Sequence, residues 1–204
     1  MCSFIITNKD IERLDHVNFY SKFRGPDCTN IIKKNNITFL HNLLSITGEF
    51  TVQPFIEDDI VCLYNGEIYN SFDFGDYKSD GECLIPLYKE HGTDFIKKLD
   101  GEFAIALFDF ARNIVVLSTD VFATKPMWMA KDGNDFCICS YKSNADRLGF
   151  KDVKRLGPNI TLVLDINLKQ IDQYEIYSFS LDQHKKSFDE WNAAFFYRCQ
   201  IKIK

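Results

Sequence analysis

The sequence predicts an α+β fold in which strand-rich sheets are faced by a small number of helices. Three observations carry this reading. Segments rich in Ile, Val, Phe and Tyr recur along the chain, several of them are continuous apolar runs of the kind buried on both faces, and few stretches have helical periodicity. With 204 residues, 46% hydrophobic and 15% aromatic, the chain holds enough apolar material for a substantial core, and a single main domain is expected.

The strand candidates, in order, are CSFIIT from Cys2, ITFLHNLLSIT from Ile37, DIVCLYNGEIY from Asp59, FAIALFDF from Phe103, NIVVLST from Asn113, DFCICSY from Asp135, ITLVLDI from Ile160 and QIDQYEIY from Gln170. Sheets covered on both faces need helices, and GECLIPLYKEHGTDFIKKL supplies them. Apolar residues recur there at Leu84, Leu87 and Tyr88, then at Phe95, Ile96 and Leu99, with Gly92 as the break between two helices. The polar stretch NSFDFGDYKSDGE, beginning at Asn70, separates strand from helix and reads as a surface loop over a site. Composition changes near residue 180. Residues 181–204 read as a polar linker followed by an amphipathic helix, with Phe188, Trp191, Phe195 and Phe196 on one side and Ser187 or Asp189 near its start. That aromatic face either packs back on the domain or docks a partner or a further domain.

Charge and cysteine usage exclude several function classes. The formal net charge is -5 with Lys and Arg scattered, so no footprint for nucleic acid is present. The N-terminus lacks the succession of a signal peptide and no apolar run is long enough to cross a bilayer, so a cytoplasmic protein without membrane attachment is expected. The seven cysteines are odd in number and stand in no zinc-ligand spacing, which points to reduced thiols, no metal site and no cofactor. Cys137 and Cys139 share one face of a strand, the ordinary place for small buried hydrophobes.

Cys2 stands directly behind the initiator methionine. Met1 is removed when the next side chain is small, so Cys2 is expected to carry a thiol and a free α-amino group together. An α-amine titrating near pH 7 to 8 can take a proton from the thiol and pass one to a leaving group. On the dipeptide alone, a cysteine placed there by chance is the simpler reading.

The segments acquire more meaning as a set. MC, RGPD at Arg24, HNLLSITG at His41, YNGEIYN at Tyr64, SDGECLIPLY at Ser79, LDGEFAIALFD at Leu99 and TDVFATKPMW at Thr119 occur in a fixed order. That order resembles the glutaminase domain of class II glutamine amidotransferases of the asparagine synthetase type, over residues 2 to about 180, and FDEWNAAFFYR resembles the first helix of the synthetase domain in that family. The resemblance implies a four-layer αββα N-terminal-nucleophile hydrolase sandwich with mostly antiparallel sheets. It also implies hydrolysis of L-glutamine to glutamate and ammonia through a Cys2 thioester.

By the same resemblance, Asn65 offers its side-chain NH2 and Gly66 its backbone N–H to the oxyanion, a glycine there letting the backbone approach the substrate. The alternative for Asn-Gly is a hairpin turn. Glu67 and Asp80 match positions that receive the substrate α-amino group, although Asp80 is also placed to cap the helix entered at SDGE. Ile46 and Thr47 match the segment running beside the substrate.

Two departures from the pattern stand out. The family usually reads H-x-R-L-S-I, its arginine holding the α-carboxylate, whereas HNLLSI places Leu43 there. Loss of such a contact costs about 1.5 to 3 kcal/mol. Arg24 is a candidate surrogate, or RGPD is simply a turn in the pocket wall. Ala123 stands where a glycine is usual. The sequence also contains no Gly-Gly pair, so the SGGxDS pyrophosphate loop of the synthetase half is missing. The resulting expectation is an amidotransferase domain delivering ammonia to a separate synthetase- or transferase-like protein. An N-terminal cysteine amidase acting on another amide, or a catalytically weakened regulatory or binding module, is the alternative.

Overall fold

The computed structural model describes residues 2–46, 48–180 and 187–201. In chain order the elements are β1 (Ser3–Thr7), α1 (Leu14–Val17), β2 (Cys28–Lys34), β3 (Ile37–Leu43), β4 (Phe55–Glu57), β5 (Ile60–Ile68), α2 (Leu84–His91), β6 (Gly101–Asp109), β7 (Ile114–Thr119), β8 (Trp128–Asp132), β9 (Asp135–Cys139), α3 (Lys142–Arg147), β10 (Val153–Arg155), β11 (Ile160–Leu164), β12 (Gln170–Glu175) and α4 (Asp189–Ile201). Among the described residues the strands form two six-stranded sheets, ordered β10-β8-β9-β1-β3-β2 and β12-β11-β7-β6-β5-β4. Every strand pairing within them is antiparallel.

All eight expected strands are present. The four that periodicity missed are β2, β4, β8 and β10, and three of these lie on sheet edges. Edge strands keep one side in water, so β2 alternates half-buried and exposed residues and carries two lysines, while β4 and β10 have three residues each. Helix α2 forms as expected and Gly92 breaks it, with φ 60. The continuation, Gly92–Lys98, is a 3-10 helix rather than the second α-helix expected.

Three apolar clusters define four layers. Phe4, Ile6 and Phe39 of the first sheet meet Val61, Leu63, Ala106 and Phe108 of the second, with the rings of Phe39 and Phe108 edge to face at 5.2 Å. The outer face of the second sheet, through Cys62, Tyr64 and Ile105, packs on Leu84, Leu87 and Tyr88 of α2 and on Phe95 and Ile96. The outer face of the first sheet, through Ile5, Leu40, Cys137 and Cys139, packs on Val17 of α1 and Ala145 of α3. This is an αββα sandwich. Because side chains alternate along a strand, Phe4 and Ile6 enter the space between the sheets and Ile5 leaves it. Cys2 has the parity of the inward pair.

Much of the expected linker, residues 181–186, lies outside the described residues. The helix that follows is present as α4, and Phe188, Trp191, Phe195 and Phe196 are all more than 60% exposed. Their aromatic surface is not packed back on the domain.

Candidate active site

Residues from the end of β3, from β5 and from the loops beside them line a cleft. Cys2 lines it, just ahead of β1, which pairs with β3 from Ser3 opposite Asn42. The Cys2 Sγ accepts the Leu44 N–H at 3.4 Å and lies 3.7 Å from the Leu44 carbonyl oxygen. Burial pushes the thiol above its ordinary range, the Leu44 backbone opposes that shift, the Asp80 charge adds to it and Arg24 counters it. A thiol so placed is protonated at neutral pH and needs a base before it can attack.

Asn65 and Gly66 lie within β5, opposite Ala104 and Phe103 of β6. The hairpin alternative for this dipeptide is therefore corrected: both residues are in a ladder, where strand pairing overrides the local turn preference. Asn65 is fully buried, and neither its Nδ2 nor its Oδ1 has a hydrogen-bond partner. Leaving such groups unpaired costs about 1 to 3 kcal/mol. Along β5, Asn65 has the parity of Val61 and Leu63, which face the other sheet, so it shares a side with the inward residues of β1. Gly66 is needed for a reason that its sequence context hides. A Cβ there would stand 2.1 Å from the Glu102 carbonyl oxygen and 2.7 Å from the Phe103 Cα, so its absence admits the neighbouring strand.

Glu67 lines the cleft opposite Glu102 in the β5–β6 ladder. Asp80 also lines it, but the helix-capping alternative is only part of its surroundings. Ser79 precedes the 3-10 helix Asp80–Cys83 in a capping box with Glu82, while Asp80 ties that helix to β5. Its Oδ1 accepts the Gly81 N–H at 2.9 Å, and its Oδ2 accepts the Ile68 N–H at 2.7 Å and the Tyr64 hydroxyl. Burial, with the Asp80 charge next, raises the Tyr64 phenol far above its usual range, so it stays a donor.

Leu43, at the end of β3, is buried and lines the cleft, Ile46 lines it from the exposed rim, and Thr47 lies outside the described residues. Three further lining residues, Gln53, Tyr64 and Lys125, were not singled out by sequence reasoning. Gln53 is buried and accepts the Tyr64 N–H through Oε1 at 2.8 Å, and Lys125 is buried with Nζ 3.1 Å from Glu102. Among the described residues no group of three His, Cys, Asp or Glu is gathered for a metal ion, and no helix is long and apolar enough to cross a membrane.

A family model described as a glutamine amidotransferase domain matches residues 1–153. The chain belongs to that family. Among similar curated proteins, asparagine synthetase [glutamine-hydrolyzing] 3 of Bacillus subtilis is 28% identical over 82% of this chain and 34% of its own length. Asparagine synthetase [glutamine-hydrolyzing] 1 of Saccharomyces cerevisiae is 35% identical over 54% of this chain and 21% of its own. These relatives identify the class II, asparagine synthetase type of the family, and the chain spans about a third of the length of the first relatives it matches. A solved glutamine phosphoribosylpyrophosphate amidotransferase of B. subtilis has the same fold, with a TM-score of 0.62 and 14% identity over 88% of this chain and 50% of that one.

Within an amidotransferase, the cleft gathers thiol and carboxylates from segments that are far apart in the chain, and the unpaired Asn65 amide lies between two of its lining residues on β5. Tyr64 was visible in YNGEIYN, but an aromatic residue in a strand reads as core, and only its contact with Asp80 gives it another role. Lys125 carried a stronger signal that went unused, a lysine inside the quoted TDVFATKPMW.

Proposed function

We propose that this domain hydrolyses the side-chain amide of L-glutamine to glutamate and ammonia through a Cys2 thioester, and that the ammonia passes to a separate synthetase- or transferase-like protein. Removal of Met1 gives Cys2 its α-amine, which accepts the thiol proton. The sulfur then attacks the amide carbon, the oxyanion takes hydrogen bonds from the Asn65 side chain and the Gly66 N–H, and the proton returns to the departing ammonia. Water cleaves the thioester, releasing glutamate and restoring the thiol. Glu67 and Asp80 receive the substrate α-ammonium, with Ile46 and Thr47 beside its chain.

The observation that carries this reading is the fully buried, unpartnered Asn65 amide on the strand bordering the Cys2 cleft, an arrangement that costs stability unless a ligand completes it. The exposed aromatic residues of α4 support a docked acceptor. Residues 181–204 are assigned as the linker and docking helix toward it.

The test is intact-mass analysis with an ammonia-release assay on L-glutamine. Met1 should be absent, Cys2→Ala should release no ammonia, and kcat/KM should rise with pH through a limb at about 7 to 8 as the α-amine loses its proton. An active preparation that retains Met1 would overturn the reading.

A further inference from the structure

The substitution of Leu43 removes the expected carboxylate partner from β3, and the cleft itself contains one candidate replacement. We propose that Lys125 binds the α-carboxylate of the substrate and so sets its specificity for free α-amino acids; this rests on the glutamine reading above. Among the described lining residues the ionisable groups besides Cys2 and Tyr64 are Glu49, Glu67, Asp80 and Lys125, so Lys125 is the cationic member.

Lys125 is only 5% exposed, an expensive place for an ammonium unless it faces negative charge. It lies 3.1 Å from Glu102, which stands directly opposite Glu67 in the β5–β6 ladder. Two facing carboxylates repel, and an ammonium beside them offsets that repulsion. Its three N–H donors let it serve Glu102 and a ligand carboxylate together.

The loop holding Lys125 is fixed in advance. The Asp120 carboxylate accepts the Phe122 and Thr124 backbone N–H groups, each at 2.9 Å, the Thr124 hydroxyl at 3.0 Å and the Phe103 N–H of β6 at 3.1 Å. Arg24, the surrogate considered from sequence, is near enough for its charge to reach Cys2 but stacks on Tyr141. Its Nη1 donates to the Tyr141 hydroxyl at 3.3 Å, its guanidinium stands 5.4 Å from that ring's centroid, and it does not line the cleft. Ammonium recognition by Glu67 and Asp80 beside carboxylate recognition by Lys125 matches a zwitterion.

The experiment measures calorimetric binding of L-glutamine and of 4-aminobutanamide, the same amide without its carboxylate, to the full chain carrying Cys2→Ser. Adding Lys125→Met should weaken glutamine binding roughly 10- to 100-fold and change 4-aminobutanamide less than about threefold. Leu43→Arg on that background should restore much of the loss. If Lys125→Met alone misfolds, Lys125→Met with Glu102→Gln removes the pair together and gives the same comparison. Equal effects on both ligands, no effect on glutamine, tighter binding of 4-aminobutanamide by the parent, a selective loss on Arg24→Ala, or binding of neither ligand would each overturn the assignment. Ammonia release by the Cys2 protein is scored separately: selective binding without hydrolysis retains Lys125 and overturns only the glutaminase reading.

Discussion

Asn65 shows how a single residue can work against the fold for the sake of a ligand. The inward residues that precede it on β5, Val61 and Leu63, are apolar, yet it brings two polar atoms into the sandwich without partners. Asn65→Leu keeps the number and branching of the side-chain heavy atoms and removes both orphaned groups. The variant is therefore expected to match or exceed the parent in stability, by up to about 2 kcal/mol in urea unfolding. If the side chain is an oxyanion donor, kcat for ammonia release should fall about 100- to 1,000-fold in the same preparation. A variant that loses stability and keeps its rate would remove Asn65 from the site.

At the scale of an element, the loop between β7 and β8 carries strain where the family pattern usually has glycine. Ala123 is buried with φ 49, in the left-handed region that a Cβ disfavours, and its N–H donates to the Asp120 carbonyl oxygen at 2.9 Å. The loop tolerates this because Asp120 fixes it at several points. Ala123→Gly relieves the steric cost but increases the freedom of the unfolded chain, so the two effects partly cancel. A net gain of about 0.5 to 1 kcal/mol is expected, read as a rise of a few degrees in Tm. A fall in Tm would show that the Ala123 methyl contributes more through packing than it costs in strain.

The whole sandwich has a pH sensitivity set by a histidine. His41 has the parity of Ile37 and Phe39 along β3, which face the opposing sheet, and neither ring nitrogen has a hydrogen-bond partner. Burial lowers its pKa from 6.5 to about 4, with the Tyr64 backbone opposing. Between those values the unfolded chain binds the proton and the folded chain does not. The contribution to stability is therefore complete above about pH 6.5 and lost as pH falls to about 4, a change on the order of 3 kcal/mol. Urea unfolding of the parent and of His41→Leu at pH 7 and pH 4.5 isolates this histidine from the carboxylates. The parent should lose more stability than the variant over that interval, and equal losses would show that His41 does not titrate in this way.

What the sequence determined by itself were the features written in adjacent residues. Segments rich in Ile, Val, Phe and Tyr, several of them continuous apolar runs, marked eight of the strands, the spacing of Leu84, Leu87 and Tyr88 marked α2, and the ordered strings naming Cys2, Asn65, Gly66, Glu67 and Asp80 indicated the family before any geometry was known. The tertiary structure alone decided features that depend on strand pairing and packing. Edge strands β2, β4 and β10 are short or half wet, so their burial pattern is weak until a neighbour fixes them. Gly66 needs its missing Cβ because antiparallel register brings the Glu102 carbonyl against it, and the same register sets Glu102 opposite Glu67. Lys125 enters the cleft from a loop far along the chain because Asp120 anchors that loop to β6. Local periodicity records which face of a segment is buried; which distant side chains then share a cleft follows from how the two sheets pair and stack.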